Sequence, residues 1–491
     1  MLGKQDWGQE DLFVAGSLRD LIPDDYILKR VDKVLDLSWL PDEVRDLYDE
    51  SVGRPSIDPE AAVRLMLAGF FHGIVHDRKL MREARMHLGI RWFAGYRLHE
   101  PLPDHSSLTR IRQRWGPERF KRIFQKTVKA CVDAGLVDGE TVHVDATLIR
   151  ADVSWESLIE QHAEEVLKEN AETGLDVPPP EGGPKRGRPR VGERKPKKIS
   201  RTDPDATMTT SSHNYRMEPA YKQHTVVDDK AGVVLDVKTT TGEASEGQEL
   251  LGQLLRAERA VGKQIRKATA DAAYAHSRNY DLLEARGTEA VIPPQKESYK
   301  GKHIPLRRFK YDEKNKIVLC PRKRILRRGC RQANGWLYRG DKCDCGRCPL
   351  RGRCFGEGAM RTVLIVDGYA ALLRARRNHV RWGLDEQRSY ERHRWRVEGI
   401  HGEAKTQHGL RRAVRRGLWN VAIQVYLIAA VINLKRLVLG AGKQAKEAFV
   451  YIARTIAHTW QRLWGISTGQ GAISFLGGLL PCVFGGGCSS P

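Results

Sequence analysis

Three carboxylates stand where they could share divalent cations: Asp145 in ETVHVDATLIR, Asp271 at the end of IRKATAD, and Glu398 in YERHRWRVEGIHGEAKTQHGLRRAVR, residues 390–415. Oxygen donors of this kind suit hard cations, magnesium above all. Two such ions roughly 3.5–4 Å apart can activate a water or a 3′-hydroxyl against a phosphodiester and stabilise the departing oxygen. Arg394 and Lys405 flank Glu398 and are the candidates for holding phosphates beside it.

Each carboxylate needs an element to aim it. Arg394, Glu398, His401, Lys405 and His408 recur at steps of four and three, so a helix puts them on one face. Val397, Ile400 and Ala404 form a neighbouring apolar stripe that can dock that helix. Taken alone, the segment is equally a solvated helix with an Arg394–Glu398 pair. Around Asp145, Val142, Val144, Ala146 and Leu148 alternate with His143, Asp145 and Thr147, which predicts a strand. An ionised carboxylate among β-branched neighbours is costly unless something positive offsets it. YKQHTVVDD and VVLDVKTTT predict a hairpin through DDKAG, followed by a helix from about Gly247 to Val261 and a strand, IRKATA, that delivers Asp271. A helix from near Ala275 and a fifth strand, EAVIPP, complete the run. The order of three strands, helix, strand, helix, strand and a late helix bearing Glu398 resembles the ribonuclease H-like α/β fold. That fold implies adjacency of the first and fourth strands, which would bring Asp145 and Asp271 together.

The chain has 491 residues, 41% hydrophobic and 29% charged, with a formal net charge of +22 and a pI near 9.7. Length and composition describe a soluble protein of several domains, and the charge favours a nucleic-acid partner over a small molecule. No basic stretch followed by an apolar run opens the sequence, so no secretory signal is expected. Val421–Leu439 carries Gln424, Asn433, Lys435 and Arg436 and is expected to be a buried helix rather than a membrane span.

Residues 1–139 are expected to be helical, with Asp58–Pro59 and Asp77 opening two helices and LTRIRQRW stopping at Gly116 before ERFKRIFQKTVKACVDAG. Arg110, Arg112 and Arg114 suit a helix-turn-helix-like DNA reader or a solvated face. A core over 140–299 would be interrupted at 154–205 by a helix beginning near Glu156 and a Pro-, Gly- and cation-rich linker. In that linker KRGRPR, with Lys185, Arg186, Arg188 and Arg190, is similar to the AT-hook of A·T minor grooves, or is a generic phosphate contact. Six of nine cysteines fall in an insertion over 300–384, a density that favours metal over disulfides in a reducing compartment. Residues 385–440 would close the core, and 441–491 form a last helix and a Gly-rich tail.

With these motifs in place the chain resembles a DDE transposase of bacterial insertion sequences, in the IS4/IS5 superfamily and most like the IS1182 group. GRPSIDPEAAVRLMLAGFFHGI, RWFAGY and PDHSSLTRIRQR are similar to the shared N-terminal domain; VHVDAT, ADAAY and VEGIHGEAKTQHGLRRAVRRGL match the three acidic motifs, with Ala273 where glycine is usual. TDPDATM and YKQHTVVDD match the stretch before the central hairpin, and INLKRL the end of the third motif. The resemblance implies a catalytic triad of Asp145, Asp271 and Glu398, with Arg394-x3-Glu398-x6-Lys405 completing a signature whose tyrosine falls one residue early, at Tyr390. Glu403 is the competing carboxylate, and the spacing favours Glu398. Cys320-Pro, Cys345-x2-Cys348-Pro and Cys354 are similar to the clusters of that group's insertion; four thiolates would suit a structural zinc holding a small lobe that could not otherwise bury a core, with Cys330 and Cys343 as alternative ligands. Arg327, Arg328, Arg347, Arg351 and Arg353 would add a basic surface facing DNA.

The implied cofactors are two magnesium (or manganese) ions. The implied partners are double-stranded transposon ends and target DNA, met by a homodimer at the bacterial nucleoid. An inactive or domesticated DNA-binding relative, and a nuclease without strand transfer, are the alternatives.

Overall fold

In a computed structural model of the chain, the structure describes residues 16–49, 56–161, 197–210, 217–296, 301–356 and 358–464. Two units, Met1–Leu437 and Val438–Pro491, make up the chain, and the account below concerns the first.

The described N-terminal residues are helical: α1 (Ile27–Asp32), α2 (Leu40–Val44), α3 (Pro59–Phe71), α4 (Asp77–Met86), α5 (Leu88–Phe93) and α6 (His105–Asp133). Asp58 caps α3, accepting from the Ala61 amide at 2.9 Å, with Pro59 in the first turn where its missing N–H costs nothing. Asp77 does not cap α4 as the sequence suggested. Its carboxylate takes both guanidinium nitrogens of Arg112, at 2.7 and 2.9 Å, and also pairs with Arg415. The break expected at Gly116 is present: φ is 67° there, and Pro117 restarts the helix.

The central sheet is built from β1 (Thr141–Arg150), β2 (Leu158–Gln161), β3 (Lys197–Ser200), β4 (Thr207–Thr210), β5 (Met217–Asp228), β6 (Val234–Thr241), β7 (Lys267–Ala270) and β8 (Glu289–Val291), in the order β2-β3-β4-β5-β1-β7-β8 with β6 also on β5. β1 pairs antiparallel with β5 and parallel with β7, and β7 pairs parallel with β8. The parallel steps need crossovers, supplied by α7 (Glu246–Val261) and α8 (Ser277–Ala285). α7 lies close on α8: a Cβ on Gly247 would meet the His276 ring at 2.0 Å.

Two expectations are corrected here. The helix expected from Glu156 begins instead as a turn, Trp155–Ser157, and the strand β2; β2 to β4 then carry both ends of the first insertion back onto the sheet. Residues 162–196, with the KRGRPR element, lie outside the described residues. The cysteine-rich segment forms a second, antiparallel sheet of β9 (Lys310–Asp312), β10 (Ile317–Leu319), β11 (Ile325–Gln332), β12 (Gly335–Arg339) and β13 (Thr362–Val366), with short helices α9 (Lys342–Gly346) and α10 (Arg351–Cys354) before the last strand. It buries its own apolar cluster, including Phe309, Val318, Leu326, Tyr338, Val363 and Ile365. The lobe therefore has a hydrophobic core of its own, contrary to the expectation that metal alone would hold it.

Three helices follow: α11 (Tyr369–Val380), α12 (Leu384–Gln407) and α13 (Leu418–Trp464). The stretch Leu418–Gly442 is long and apolar enough to cross a membrane, but 83% of its window is buried in protein, as its polar residues require. Asn433 shows why: its side chain accepts from the Val234 amide at 2.9 Å and donates to the Val234 carbonyl at 2.9 Å.

The TDPDA turn anchors the start of α13. Asp205 accepts from the Leu418 amide at 2.9 Å, and Asp203 accepts from the Gly417 amide at 3.2 Å and from the Tyr221 hydroxyl at 2.5 Å. Burial pushes the Asp203 carboxyl up to about 6, although both hydrogen bonds oppose the shift. A raised carboxyl stabilises the fold fully only below its unfolded value near 3.8, and that contribution is lost as pH rises through about 6. Asp203→Asn keeps the accepting oxygen and removes the charge. Its melting temperature at pH 7.5 is expected to equal or exceed the parent's, by roughly 1–3 kcal/mol of stability, with a flatter profile between pH 4 and 7. Melts across that range test it, and a destabilised Asn variant would refute it.

Candidate active site

The β1–β7 register ends at Val144 opposite Ala270. The next residues along the two parallel strands are Asp145, still within β1, and Asp271, just past the end of β7, so both stand where the β1–β7 pairing stops. Asp271 caps the turn Ala272–Tyr274, accepting from the Ala273 amide at 2.8 Å. Burial, with the charges of Asp145 and Glu246 adding to it, pushes Asp271 up to about 6. Burial also opposes ionisation of Asp145, yet the His401 side chain, with the Ala146 amide, holds it below the ordinary carboxylate value. The two carboxylates are therefore shifted in opposite directions, Asp145 by its neighbours on α12 and β1 and Asp271 by burial and by Asp145 itself. Glu246, a fourth carboxylate near Asp271, is engaged by Lys222 at 3.0 Å.

Helix α12 lies across this edge. Val397, Ile400 and Ala404 are buried as expected. Its charged face is not uniform along the axis. Arg394 and Glu398 point to solvent, 81% and 62% exposed, with Nε and Oε2 3.6 Å apart. His401 and His408 are buried. Lys405 is half-buried, its ammonium disfavoured by burial and by Arg411 and supported by Asp145. Tyr390 connects the three acids: burial, followed by the charges of Asp271, Glu398 and Asp145, pushes its phenol up. The tyrosine one position early stacks on His393, with ring centres 6.0 Å apart.

Glu403 has a different environment. It pairs with Lys435, with Arg436 at 2.8 Å and with His408 at 3.6 Å. Those cations hold it far below the usual carboxylate range despite its burial. It ties α12 to α13 and has no free charge to offer a cation.

Among the described residues, no group of three His, Cys, Asp or Glu side chains converges closely enough to hold a metal ion. The donor chemistry at Asp145 and Asp271 nevertheless fits a cation: two half-buried carboxylates stand side by side, Asp145 adds to the cost of ionising Asp271, and the Tyr274 hydroxyl in their field is buried with no hydrogen-bond partner. In the insertion, Cys320, Cys345, Cys348 and Cys354 line one cavity of about 240 Å³. Burial raises the Cys354 thiol, and Cys345, Cys348 and Cys320 raise it further. All four are free thiols, as are the lining Cys343 and the exposed Cys330.

Of the candidate DNA contacts, Arg112 is corrected: it is 4% exposed and occupied by Asp77. Charge pattern cannot distinguish an outward arginine from one whose acidic partner lies 35 residues earlier. Arg110 is exposed, and Arg114 is exposed with its guanidinium 4.8 Å from the Tyr48 ring centre.

Sequence reasoning missed the polar groups under α12. His393 Nδ1 lies 3.0 Å from Thr269 Oγ1, which lies 2.6 Å from His143 Nδ1; His143 Nε2 is 3.0 Å from Asp229. Burial depresses His393 to about 4 and His143 to about 3, so both are neutral hydrogen-bonding groups at physiological pH. The signal was the spacing of His393, Val397, Ile400, His401 and Ala404, which marks one buried face only if histidines are admitted to it.

A family model described as Transposase domain (DUF772) matches residues 16–114, and one described as Transposase DDE domain matches residues 319–438. The second contains Arg394, Glu398 and Lys405. Asp145 and Asp271 precede it. Similar solved structures include a piggyBac transposase synaptic complex with hairpin DNA (10% identity, 94% of this chain and 86% of that one, TM-score 0.32). A Mos1 mariner paired-end complex with Mn (12%, 52% and 64%, TM-score 0.15) and a Mos1 strand transfer complex (13%, 54% and 66%, TM-score 0.16) are also similar. No curated protein matches the chain.

Proposed function

The chain is a DDE transposase, an enzyme that cleaves and transfers DNA, and we infer that it acts through Asp145, Asp271 and Glu398 on the terminal inverted repeats of its own insertion sequence. The observation that carries this reading is that the parallel β1–β7 register sets Asp145 and Asp271 side by side, with α12, which bears Glu398, packed across them. The order β6-β5-β1-β7-β8, with parallel steps only from β1 onward, supports a ribonuclease H-like core.

Asp145 and Asp271 would hold magnesium or manganese between them, and Glu398 would join when it leaves Arg394. When bound, the ions supply Lewis acidity at the scissile phosphate and an activated oxygen nucleophile. The protein's own residues do the rest. Arg394, released from Glu398, and Lys405 pair with phosphate oxygens flanking the cut. The rigid β1–β7 edge fixes the spacing of the two aspartates. The exposed Arg110 and Arg114 contact the DNA backbone outside the site, and a homodimer pairs the two ends.

Incubating the protein and Mg²⁺ with linear DNA ending in the repeats that flank its gene, together with a supercoiled plasmid, should yield nicked ends and then plasmid-joined product. Pre-cut ends should join without the first step. Cleavage with no joined product from pre-cut ends would leave a nuclease and sink the strand-transfer reading.

The cysteine insertion is read as a structural zinc site of Cys320, Cys345, Cys348 and Cys354, supported by four free thiols around one cavity. Protein purified without chelator should carry about one zinc per chain, and Cys345→Ser with Cys348→Ser should lose it. Because the lobe has its own apolar cluster, metal loss should loosen it rather than unfold the chain. Elemental analysis that finds no zinc in the parent refutes this assignment.

A further inference from the structure

We propose that His401 is a positioning residue that orients the Asp145 carboxylate for a divalent cation. This rests on the reading of Asp145 as a metal ligand. Asp145 and Thr225 are directly opposed across β1 and β5. The His401 ring on α12 spans that pair, with Nδ1 3.6 Å from Asp145 Oδ2 and Nε2 3.0 Å from Thr225 Oγ1. It is 5% exposed, so water does not compete for either nitrogen.

The two ring nitrogens face different groups, a carboxylate at ion-pair distance and a hydroxyl at hydrogen-bond distance. A carboxylate only accepts, so a proton on Nδ1 is the arrangement in which the 3.6 Å contact is attractive. With the proton on Nδ1 and Nε2 bare, Nε2 accepts a hydrogen bond from the Thr225 hydroxyl. Thr225 Oγ1 is left to accept, and Gln223 Nε2 donates to it at 3.0 Å. The chain runs in one direction: Gln223 to Thr225 to His401 to Asp145. The Asp145 oxygen nearer α12 is thereby turned toward His401. Partners that orient a metal ligand in this way are worth roughly 10–100-fold in metal affinity or activity. His401 also lies one turn beyond Glu398 on the same helix, so the contact sets the register of the third carboxylate against the first.

Two substitutions separate the two nitrogens. An asparagine amide N–H reaches the Nδ1 position, and a glutamine amide reaches Nε2. His401→Asn therefore keeps the donor to Asp145 and loses Thr225; His401→Gln does the reverse. The probe is Mn²⁺ alone, read first as the Mn²⁺-induced rise in melting temperature without DNA, then as the Mn²⁺ dependence of repeat-end cleavage. His401→Gln should raise the half-saturating Mn²⁺ by about 10–100-fold in both readouts, with DNA binding unchanged. His401→Asn should stay within a few-fold of the parent. Thr225→Val, which frees the ring to rotate without touching Asp145, should fall between them. Equal responses from Asn and Gln, or an unmoved His401→Gln, overturn the proposal. Asp145→Asn is the separating arm: if it leaves the Mn²⁺ response intact, the reading of Asp145 as a ligand fails. If it abolishes the response while His401→Gln does not alter it, only the role of His401 fails.

Discussion

Asp271→Asn is expected to lower Mg²⁺-dependent cleavage by at least ~10³-fold, about 4 kcal/mol of transition-state stabilisation, while making the fold more stable. The two effects have one cause. Asp271 is held ionised at neutral pH against burial and against the charges of Asp145 and Glu246, which is why its carboxyl sits near 6. A carboxyl raised in this way stabilises the fold below about 3.8 and loses that contribution as pH climbs through about 6, so at pH 7.5 the charge is a liability to folding. Asparagine removes the charge and still caps the Ala272–Tyr274 turn, since its side-chain oxygen can accept from the Ala273 amide as the carboxylate does. The expected gain is roughly 1–3 kcal/mol. Asp145→Asn should lose cleavage to the same extent, with little gain in stability, because His401 already favours its charge. Cleavage of labelled repeat-end DNA, DNA binding by gel shift and thermal melts at pH 7.5 measure all three quantities. Cleavage within tenfold of the parent in either variant would remove that aspartate from the reaction.

What was legible in the sequence was the frame. Alternation around Asp145 and the strand–helix order place β1, β5, β6, β7 and β8, and the adjacency of β1 and β7 follows from a fold resemblance rather than from any local signal. The Arg394–Glu398 spacing was equally readable because a helix turn is local. Contacts distant in sequence were not readable. Arg112 looked like part of an outward basic face, and the Asp77 carboxylate that engages it lies 35 residues earlier on α4, where it also takes Arg415 from the segment after α12. Leu158–Gln161 looked helical, and became a strand by pairing with Lys197–Ser200 across a long interruption. The insertion looked too polar for a core because its apolar residues, from Phe309 to Tyr369, are spread singly through short strands. His401 was grouped with the charged face of Arg394 and Glu398 and is instead buried beside Val397 and Ile400, since Thr225 and Asp145 meet it only once α12 is docked.

The two glutamates on α12 give the sharpest remaining contrast, because burial and pairing predict opposite outcomes for them. Glu398 is 62% exposed and pairs with Arg394, itself 81% exposed, at 3.6 Å. An exposed pair with that geometry contributes at most about 1 kcal/mol, so Glu398→Gln should melt within a degree or two of the parent while cleavage is lost. Glu403 is 14% exposed and neutralises Lys435 and Arg436, each 22% exposed. Glu403→Gln strands those two cations in a largely buried setting, and breaking such a cluster costs about 3–5 kcal/mol. The pH dependence follows the same logic. Its folded carboxyl lies far below the unfolded value of about 4.5, so its contribution is fully present above that value and is lost as pH falls below it. The parent should therefore lose more stability than Glu403→Gln on acidification from pH 5 to pH 3, and the two melting curves should converge. Cleavage by Glu403→Gln, assayed at a temperature where it remains folded, should survive. If Glu403→Gln abolishes cleavage while folded and Glu398→Gln retains it, the third carboxylate has been assigned to the wrong turn of the helix.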